Sequence, residues 1–330
     1  MKTIRWGIIG TGAIANKFAE VLNSLDDVEL LAVASRKQET ANAFAREYGV
    51  KRAYASYEEL AKDSDLDVVY IATPHSEHKE NAALCIKNGK AVLCEKAFTL
   101  NQEETEYLIS LAREHKVFLM EAMWTKFMPT TFQVKKWIEE KRIGKVKHIR
   151  ANFGYYNEFD INSRLFDPNT AGGALLDAGI YPITYAIHML GKLPKSIKSS
   201  AIIGASNVDE QNVIILEFED GTLADLSSAV TAELGKDAVI IGDKGRIEIP
   251  NFFFAQMAEL YDAEGKLVDK FEEDFVINGY EYEAMEVNSC IREGKLESSI
   301  LPLSDTLDIM KIMDEIRDQW GLVYPQENKE

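Results

Sequence analysis

Three small residues near the N-terminus have the spacing of a phosphate-binding turn. Gly10, Gly12 and Ala15 form the pattern Gly-x-Gly-x-x-Ala, with an apolar run before it and a helical pattern after it. The first glycine permits a tight turn, the second lets the backbone approach a pyrophosphate, and the alanine keeps helix and strand close. Free N–H groups at the helix start would then bind the phosphates. The pattern predicts a dinucleotide site, the alternative being a turn that binds no ligand. The loop residues expected to contact the cofactor are Gly10, Thr11, Gly12, Ala13 and Ile14.

The next apolar segment, residues 28–35, ends in a serine and is followed by two basic residues. In a dinucleotide-binding fold, an acidic residue at this place would bind the ribose 2′-hydroxyl and select NAD. Ser35, Arg36 and Lys37 stand there instead. A hydroxyl and two cations suit a 2′-phosphate, and Arg36 can also stack on adenine. The alternative is a solvated basic start of a helix. We therefore expect NADP rather than NAD, with Ser35 and Arg36 among its ligands.

Three later apolar segments end in residues that can bind ligands. The ligand crevice of a doubly wound sheet lies beyond the carboxyl ends of its strands, so segments 73–78, 95–96 and 121–124 are expected to line one site. His78 has a second interpretation, as the start of a helix. The two histidines of this region have no third His or Cys near them, so we expect no metal. The cofactor contacts expected here are Thr73, Pro74, His75, His78, Glu95 and Lys96.

The elements that must position these residues fall into two groups. Over residues 1–122, apolar strands alternate with helical patterns, which predicts a Rossmann-type α/β domain with a doubly wound parallel sheet. Over residues 123–330, a helical stretch interrupted near Pro182 precedes successive strands with Asp-Gly and Asp-Lys-Gly turn signals. Strands without intervening helices predict an α+β domain with an open-faced, mainly antiparallel sheet. Its helices are too few to cover both faces, so a homodimer or higher homo-oligomer through this sheet is expected.

Composition limits the possible partners and compartment. The net charge of −17 over 330 residues argues against nucleic acid and anionic membrane partners. No apolar run reaches the roughly 18 residues of a membrane span, and the N-terminus lacks the pattern of a signal peptide. The three cysteines form no metal-like cluster and cannot all pair, which favours reduced thiols. A cytoplasmic protein acting on a small molecule is expected.

The chain carries a series of motifs in a familiar order: GIIGTGAIA, AVASR, IATPHSEH, CEKAFTLN, FLMEAMWTKF, AGGALLDAGIYP and YEAMEVNSCIREG. Together they resemble the Gfo/Idh/MocA oxidoreductase family. Within it, they are most similar to the branch of dimeric dihydrodiol dehydrogenases and NADP-dependent D-xylose 1-dehydrogenases. The resemblance covers nearly the whole chain. It implies a Rossmann domain followed by an open-faced sheet domain that often forms the subunit interface.

The resemblance also implies catalytic residues. A Glu-Lys-Pro motif of the family supplies a lysine at the nicotinamide, which here is Lys96 with Glu95 beside it. A later motif supplies an acid and, four residues on, a His or Tyr, which here are Asp177 and Tyr181. The chain departs from the family at Ala97, where most members have proline. Proline would restrict the backbone after the lysine, so the departure bears on local geometry more than on chemistry.

These residue types suit hydride transfer, in which the cofactor carries the hard chemistry and the protein supplies position and a proton partner. Tyr181 can give a proton to a carbonyl oxygen or accept one from an alcohol. Its unperturbed pKa is about 10, so a nearby cation such as Lys96 would favour tyrosinate. Asp177 can orient a hydroxyl or pair with Lys96. The alternatives are a solvated turn for Lys96, a helix cap for Asp177 and a packed aromatic for Tyr181.

Trp124 and Phe153 are candidates for a substrate wall, with a place in the core as the alternative for each. The sequence thus predicts an NADP-dependent oxidoreductase acting on a secondary alcohol, hemiacetal or carbonyl of a small cyclic polyol. The resemblance suggests trans-dihydrodiols or sugars such as D-xylose. Two alternatives stay open: an NADPH-dependent reductase of sugar or dicarbonyl compounds, and a non-catalytic, cofactor-sensing binding protein of the same fold.

Overall fold

The computed structural model describes residues 2–328, which form two compact units. The first comprises the chain up to Trp124 together with Phe275–Met310. The second comprises Thr125–Asp274 together with the chain from Lys311 onward. Each unit is therefore assembled from two stretches of sequence, and the domain boundary expected between residues 122 and 123 stays a prediction.

The first unit is built on a six-stranded parallel sheet of the order β3-β2-β1-β4-β5-β6. This is the strand order of a Rossmann fold, whose switch point lies between β1 and β4. The predicted doubly wound α/β fold is confirmed. The strands are β1 Ile4–Ile9, β2 Val28–Ala34, β3 Arg52–Tyr54, β4 Val68–Ile71, β5 Ala91–Glu95 and β6 Leu119–Ala122. The helices are α1 Ala13–Ser24, α2 Gln38–Tyr48, α3 Tyr57–Ala61, α4 His78–Lys87, α5 Gln102–His115 and α8 Glu281–Arg292.

The buried strands of this unit are nearly continuous apolar runs, as expected of a parallel sheet covered on both faces. In β1 the only residue that is not buried is Arg5. The late helix α8 belongs to the same core, because Trp6 donates a hydrogen bond from Nε1 to Oδ1 of Asn288 at 3.0 Å. Both residues are fully buried, so this bond fixes a C-terminal helix beside the first strand.

The second unit contains an eight-stranded sheet of the order β14-β13-β12-β11-β7-β10-β9-β8. Its neighbours are antiparallel except β7 and β10, which are parallel. The predicted open-faced, mainly antiparallel α+β architecture is confirmed. The strands are β7 Val146–Gly154, β8 Ser196–Ile203, β9 Asp209–Glu217, β10 Leu223–Ala229, β11 Ala238–Gly242, β12 Gly245–Ile249, β13 Met257–Asp262 and β14 Leu267–Glu272. The helices are α6 Pro129–Glu139, α7 Ile180–Leu190 and α9 Leu303–Trp320, whose first part belongs to the first unit.

Two sequence expectations about this part of the chain were incomplete or wrong. The sequence patterns did not predict β13 and β14, whose residues alternate irregularly between polar and apolar types. The helical stretch is not interrupted at Pro182. A π-helix, Leu175–Gly179, passes directly into α7, and Pro182 occupies the first turn of α7.

Within residues 2–328, no helix combines the length and apolar character needed to cross a membrane. The same residues contain no group of three or more His, Cys, Asp or Glu side chains arranged to hold a metal ion.

Candidate active site and cofactor-binding loops

The glycine turn after β1 requires glycine at its first position. Gly10 has a φ of +104°, and a Cβ there would lie 2.5 Å from the carbonyl oxygen of Ala72. Its N–H donates to the carbonyl of Ala34 at 3.0 Å. The turn is therefore pressed between the ends of β2 and β4, which places it at the switch point of the sheet.

Gly12 has a different reason to be glycine. It is the N-cap residue of α1 but has no side chain that could accept a hydrogen bond from the helix start. The first turn of that helix contains no acidic residue. A Cβ at Gly12 would meet nothing within 4 Å, and Gly12 and Ala13 are both exposed. The first N–H groups of a helix have no partner within the helix and attract anions. This uncapped, open helix start fits a pyrophosphate.

The end of β2 lies beside the same turn. The Oγ1 atom of Thr11 lies 3.5 Å from Oγ of Ser35, so the turn and the strand end form one polar rim. Arg36 follows with its side chain 75% exposed, and its Nη1 lies 3.6 Å from a carboxylate oxygen of Glu77. An exposed ion pair of this length contributes little free energy, so a phosphate can compete for the guanidinium. The structure thus brings together the glycine turn and the residues expected to bind the 2′-phosphate.

The loop after β4 is tied to the loop after β5 by one histidine. The ring of His78 is fully buried, with Nε2 2.8 Å from the carbonyl oxygen of Thr73 and Nδ1 2.9 Å from that of Ala97. Burial lowers the pKa of His78, and a neutral imidazole carries only one N–H for the two carbonyls. His78 starts α4 and braces the two loops. His75 is also nearly buried, and its ring meets that of His78 edge-on at 5.6 Å.

Lys96 follows directly on β5 and is half-buried. The peptide bond to Ala97 is cis. Glu95 is buried beside it: one carboxylate oxygen accepts a hydrogen bond from the Tyr70 hydroxyl, and the other accepts the backbone N–H of Lys96 at 3.2 Å. These bonds fix the backbone that carries the Lys96 side chain.

Residues of α8 and the loop before it complete the surroundings of Glu95. Glu283 is fully buried, and its pKa is raised well above the usual value by burial and then by Glu95 and Glu121. The Tyr280 ring stacks on Trp124 with centroids 4.3 Å apart. The sequence reading did not single out Tyr280 or Glu283. Glu283 and Glu281 lie on the buried face of α8, where charged residues are rare unless they are paired.

In the second unit, the π-helix and the start of α7 carry Asp177 and Tyr181. Both are 7% exposed. Asp177 is held by two partners: Nη1 of Arg164 lies 2.7 Å from its Oδ1, and the Tyr155 hydroxyl donates to its Oδ2. Burial and the adjacent carboxylate raise the pKa of Tyr155, so its hydroxyl keeps its proton and remains a donor. A π-turn inside a helix is rare and frequently found at functional sites.

Tyr181 lies against aromatic rings. Its ring centroid is 5.3 Å from that of Phe153 and 6.0 Å from that of Phe253, and the two phenylalanines stack at 4.3 Å. The structure therefore brings Phe153 to Tyr181, as the sequence suggested for a substrate wall. It places Trp124 in the first unit, 2% exposed and stacked on Tyr280. Phe253 was missed, although three successive phenylalanines at 252–254 outside any strand pattern were a visible signal.

The comparisons with known proteins agree with this architecture. A family profile described as an oxidoreductase family with an NAD-binding Rossmann fold matches residues 4–123, and a Gfo/Idh/MocA C-terminal domain matches residues 132–248. The chain is 38% identical over 329 residues to a trans-1,2-dihydrobenzene-1,2-diol dehydrogenase of Xenopus laevis, covering 97% of this chain and 99% of that protein. It is 33% identical over 334 residues to the human protein of the same name, covering 99% of each.

Solved structures share the fold at lower identity. An aldose-aldose oxidoreductase from Caulobacter crescentus superposes with a TM-score of 0.87 at 21% identity, covering 97% of this chain and 98% of that one. A 3-ketoreductase from Actinomadura kijaniata gives a TM-score of 0.86 at 24% identity, covering 96% and 98%. The fold, the open helix start after the glycine turn and these matches together define an oxidoreductase with an NAD(P)-binding Rossmann domain. The chain belongs to the Gfo/Idh/MocA oxidoreductase family.

Proposed function

We propose that the protein is an NADP-dependent dehydrogenase that oxidises a secondary alcohol or hemiacetal carbon of a small cyclic polyol. The observation that carries the proposal is the segment formed by the π-helix and the start of α7, where a buried acid bound by Arg164 and Tyr155 lies close in sequence to a tyrosine packed against aromatic rings. The names of relatives at 33–38% identity support a trans-dihydrodiol, and the family resemblance adds aldoses such as D-xylose.

The cofactor is proposed to lie along the carboxyl ends of the parallel strands. The turn from Gly10 to Ile14 and the open start of α1 fit its pyrophosphate. Ser35 and Arg36 fit a 2′-phosphate, which selects NADP over NAD. Thr73, Pro74, His75, Glu95 and Lys96 are proposed at the nicotinamide half, and the buried His78 is proposed to act by holding the loops that carry them.

The bound nicotinamide supplies the hydride acceptor at its C4 atom. Tyr181 is proposed to accept the hydroxyl proton of the substrate as the hydride leaves the carbinol carbon, and to return that proton in the reverse reaction. Lys96 is proposed to favour the deprotonated form of this tyrosine and to bind the reacting oxygen. Asp177, held by Arg164 and Tyr155, is proposed to orient the substrate hydroxyl.

The aromatic rings around Tyr181 suit a ring-shaped substrate. Phe153 and Phe253 present stacked faces beside the tyrosine ring, and apolar faces of this kind pack against a flat or weakly puckered carbon ring. The carboxylate of Asp177 is an acceptor for a second hydroxyl group. This combination favours a cyclic vicinal diol. A substrate contact of Trp124 stays a prediction.

The test is a titration with NADP and NAD followed by turnover measurements on a panel of trans-dihydrodiols, aldoses and dicarbonyl compounds. We expect tighter binding of NADP and its reduction by a cyclic diol or aldose. Turnover restricted to NADPH and carbonyl compounds would favour the reductase. Tight cofactor binding without turnover on any member of the panel would favour a cofactor-sensing protein.

We further propose a homodimer through the open face of the eight-stranded sheet. Neighbouring strands expose apolar side chains on this face: Val213 is 46% exposed, Ile215 43% and Leu223 40%. A charge placed among them would oppose a packed interface. We expect Ile215→Lys to lower the mass measured by light scattering to that of a monomer, whereas Met285→Lys on α8 leaves it unchanged. A wild-type monomer at micromolar concentration would contradict the proposal.

A further inference from the structure

A buried carboxylate lies beneath the segment that carries Asp177 and Tyr181. Asp209, the first residue of β9, is fully buried. Its Oδ2 accepts the backbone N–H of Leu175 at 2.7 Å and the side-chain amide of Asn212 at 2.9 Å. Its Oδ1 is buried and has no hydrogen-bond partner among residues 2–328. Leu175 is the first residue of the π-helix, so the carboxylate binds the start of the proposed catalytic segment.

The contact continues into a row of buried polar side chains, here called the polar row: Asp209, Asn212 and Ser228. The Ser228 hydroxyl lies 2.9 Å from Oδ1 of Asn212 and 3.5 Å from the carbonyl oxygen of Ala174. Asn212 and Ser228 are at most 1% exposed. On β9, Asp209 therefore holds the N–H of Leu175. On β10, the single O–H of Ser228 can donate either to Asn212 or to the carbonyl of Ala174. A buried polar row on two rigid strands specifies one position for the backbone above it.

The glycines of the segment are explained by this row. Gly173 has a φ of +117°, and a Cβ there would lie 2.3 Å from Oδ1 of Asp209. A Cβ at Gly179 would lie 2.8 Å from Oγ of Ser228. Any larger residue would push the segment off the strands. The two glycines therefore let the backbone descend onto the polar row at both ends of the π-helix.

The charges around Asp209 do not form a direct ion pair with it. Burial raises the pKa of Asp209 to about 7, while its hydrogen bonds and the more distant Arg317 oppose that rise. Arg317 is bound to Glu327 and Asp314, and its guanidinium lies 5.1 Å from the Tyr324 ring centroid. The Tyr324 hydroxyl donates to the carbonyl of Gly172 at 3.0 Å. Burying the Asp209 carboxylate therefore costs free energy of folding. Its hydrogen-bond donors are the backbone N–H of Leu175 and the side-chain amide of Asn212.

We propose that Asp209 is a positioning residue, which fixes the start of the π-helix and through it the places of Asp177 and Tyr181. The inference rests on the proposed function, because it assumes that these two residues act on the substrate. Replacing Asp209 by alanine removes the acceptor of the Leu175 N–H and lets the segment shift. A shift of about 1 Å at reacting groups is enough to lower turnover about a hundredfold. The Asp209→Asn variant keeps one oxygen acceptor for the Leu175 N–H, replaces the other oxygen with an NH2 group and removes the negative charge.

The experiment compares wild type, Asp209→Ala and Asp209→Asn, with Ser206→Ala as a buried control outside the polar row. The first readout is amide hydrogen exchange in peptides covering residues 174–181. We expect exchange at least about tenfold faster in Asp209→Ala, and wild-type rates in the Asn variant and the control. Equal rates in all four proteins would overturn the inference, whether or not any substrate is turned over. If Asp209→Ala does not fold, Asp209→Ser, whose oxygen lies one bond closer to its own backbone, takes its place in both readouts, and wild-type exchange in that variant would overturn the inference.

The second readout is turnover on the substrate found by the panel. We expect kcat of Asp209→Ala to fall about tenfold or more, with the Kd for NADP within about twofold of wild type. Asp209→Asn should keep kcat within about twofold of wild type, because its amide oxygen can still accept the Leu175 N–H. An unchanged kcat in Asp209→Ala would overturn the positioning role. Absence of turnover in wild type would reject the proposed function, leaving the exchange measurement as the separate test of the structural contact.

Discussion

Nη1 of Arg164 lies 2.7 Å from Oδ1 of Asp177, so a cation from the loop after β7 holds the acid of the π-helix that precedes α7. The carboxylate side chain is only 9% exposed, whereas that of Arg164 is 57% exposed. The arginine can therefore reach the buried carboxylate from the solvent side and keep its charge compensated. This pair and the Tyr155 hydroxyl orient the Asp177 carboxylate. They thereby determine the direction of the oxygen lone pairs that remain for a substrate hydroxyl.

Replacing Arg164 by alanine should remove the cation that compensates the charge of Asp177. We expect kcat/KM to fall roughly tenfold, which corresponds to about 1.4 kcal/mol of transition-state stabilisation. Steady-state kinetics would measure it, and Arg164→Lys should recover only part of the loss because lysine lacks the forked geometry. Unchanged kinetics in the alanine variant would remove this pair from the catalytic account.

Tyr181→Phe should lower kcat about 10²- to 10⁴-fold, because the proton partner is lost while the ring still packs on Phe153. The Kd for NADP should stay close to that of wild type. Tyr185→Phe is the matched control: it removes a buried hydroxyl one turn further along the same helix. Equal turnover of the Tyr181 and Tyr185 variants would reject Tyr181 as the proton partner.

Arg36→Ala should weaken NADP binding about tenfold or more and change NAD binding little, since only NADP has a 2′-phosphate to bind the guanidinium. Fluorescence titration with both cofactors would measure the two dissociation constants. Lys37→Ala, which removes the adjacent cation, should have the smaller effect on NADP. The assignment of the 2′-phosphate to Arg36 is wrong if the arginine variant loses affinity for both cofactors equally.

Glu283→Gln should stabilise the protein increasingly as pH rises. Burial raises the pKa of Glu283 in the folded state well above its unfolded value of about 4.3. The folded state therefore binds the proton more tightly, and this contribution is fully present below about pH 4 and lost as pH rises through the folded pKa. Each pH unit in that window is worth up to about 1.4 kcal/mol relative to glutamine, which does not titrate.

Thermal unfolding of Glu283→Gln and wild type between about pH 5 and 8 checks this prediction. The exposed Glu103→Gln serves as the control for a change of net charge. A difference in Tm that stays constant across this range would show that Glu283 does not titrate differently in the folded and unfolded states.

Five strands of the parallel sheet were predictable because they are short apolar runs, whereas β3 is a half-buried segment of three residues that the patterns did not predict. Within the glycine turn, Gly10 needs a positive φ, while a Cβ at Gly12 would project into the open space that a pyrophosphate would approach. Strands β13 and β14 were not predictable in the same way. They lie at the edge of a sheet with one open face, where exposed Leu267 and Val268 break the alternation that marks a strand.

The proposed site was predictable only where a motif carries it. The catalytic roles of Lys96, Asp177 and Tyr181 came from the family resemblance, whereas Phe153 was a candidate for a substrate wall without a motif behind it. The partners of Asp177 were not accessible from sequence, because Arg164 lies in a loop with no periodic pattern and meets the acid only through tertiary structure. The same holds for Asp209, whose role depends on the close approach of two glycines far away in sequence.

In the proposed reaction, a hydride passes from the carbinol carbon to NADP while Tyr181 accepts the hydroxyl proton. The most direct measurement uses a cyclic diol or aldose deuterated at the reacting carbon, with NADP and mass spectrometry of the reduced cofactor. We expect the deuterium to appear in NADPH and turnover of the deuterated substrate to be slower than that of the unlabelled substrate. Reduced cofactor without deuterium, or no reduction of NADP by any member of the substrate panel, would contradict it.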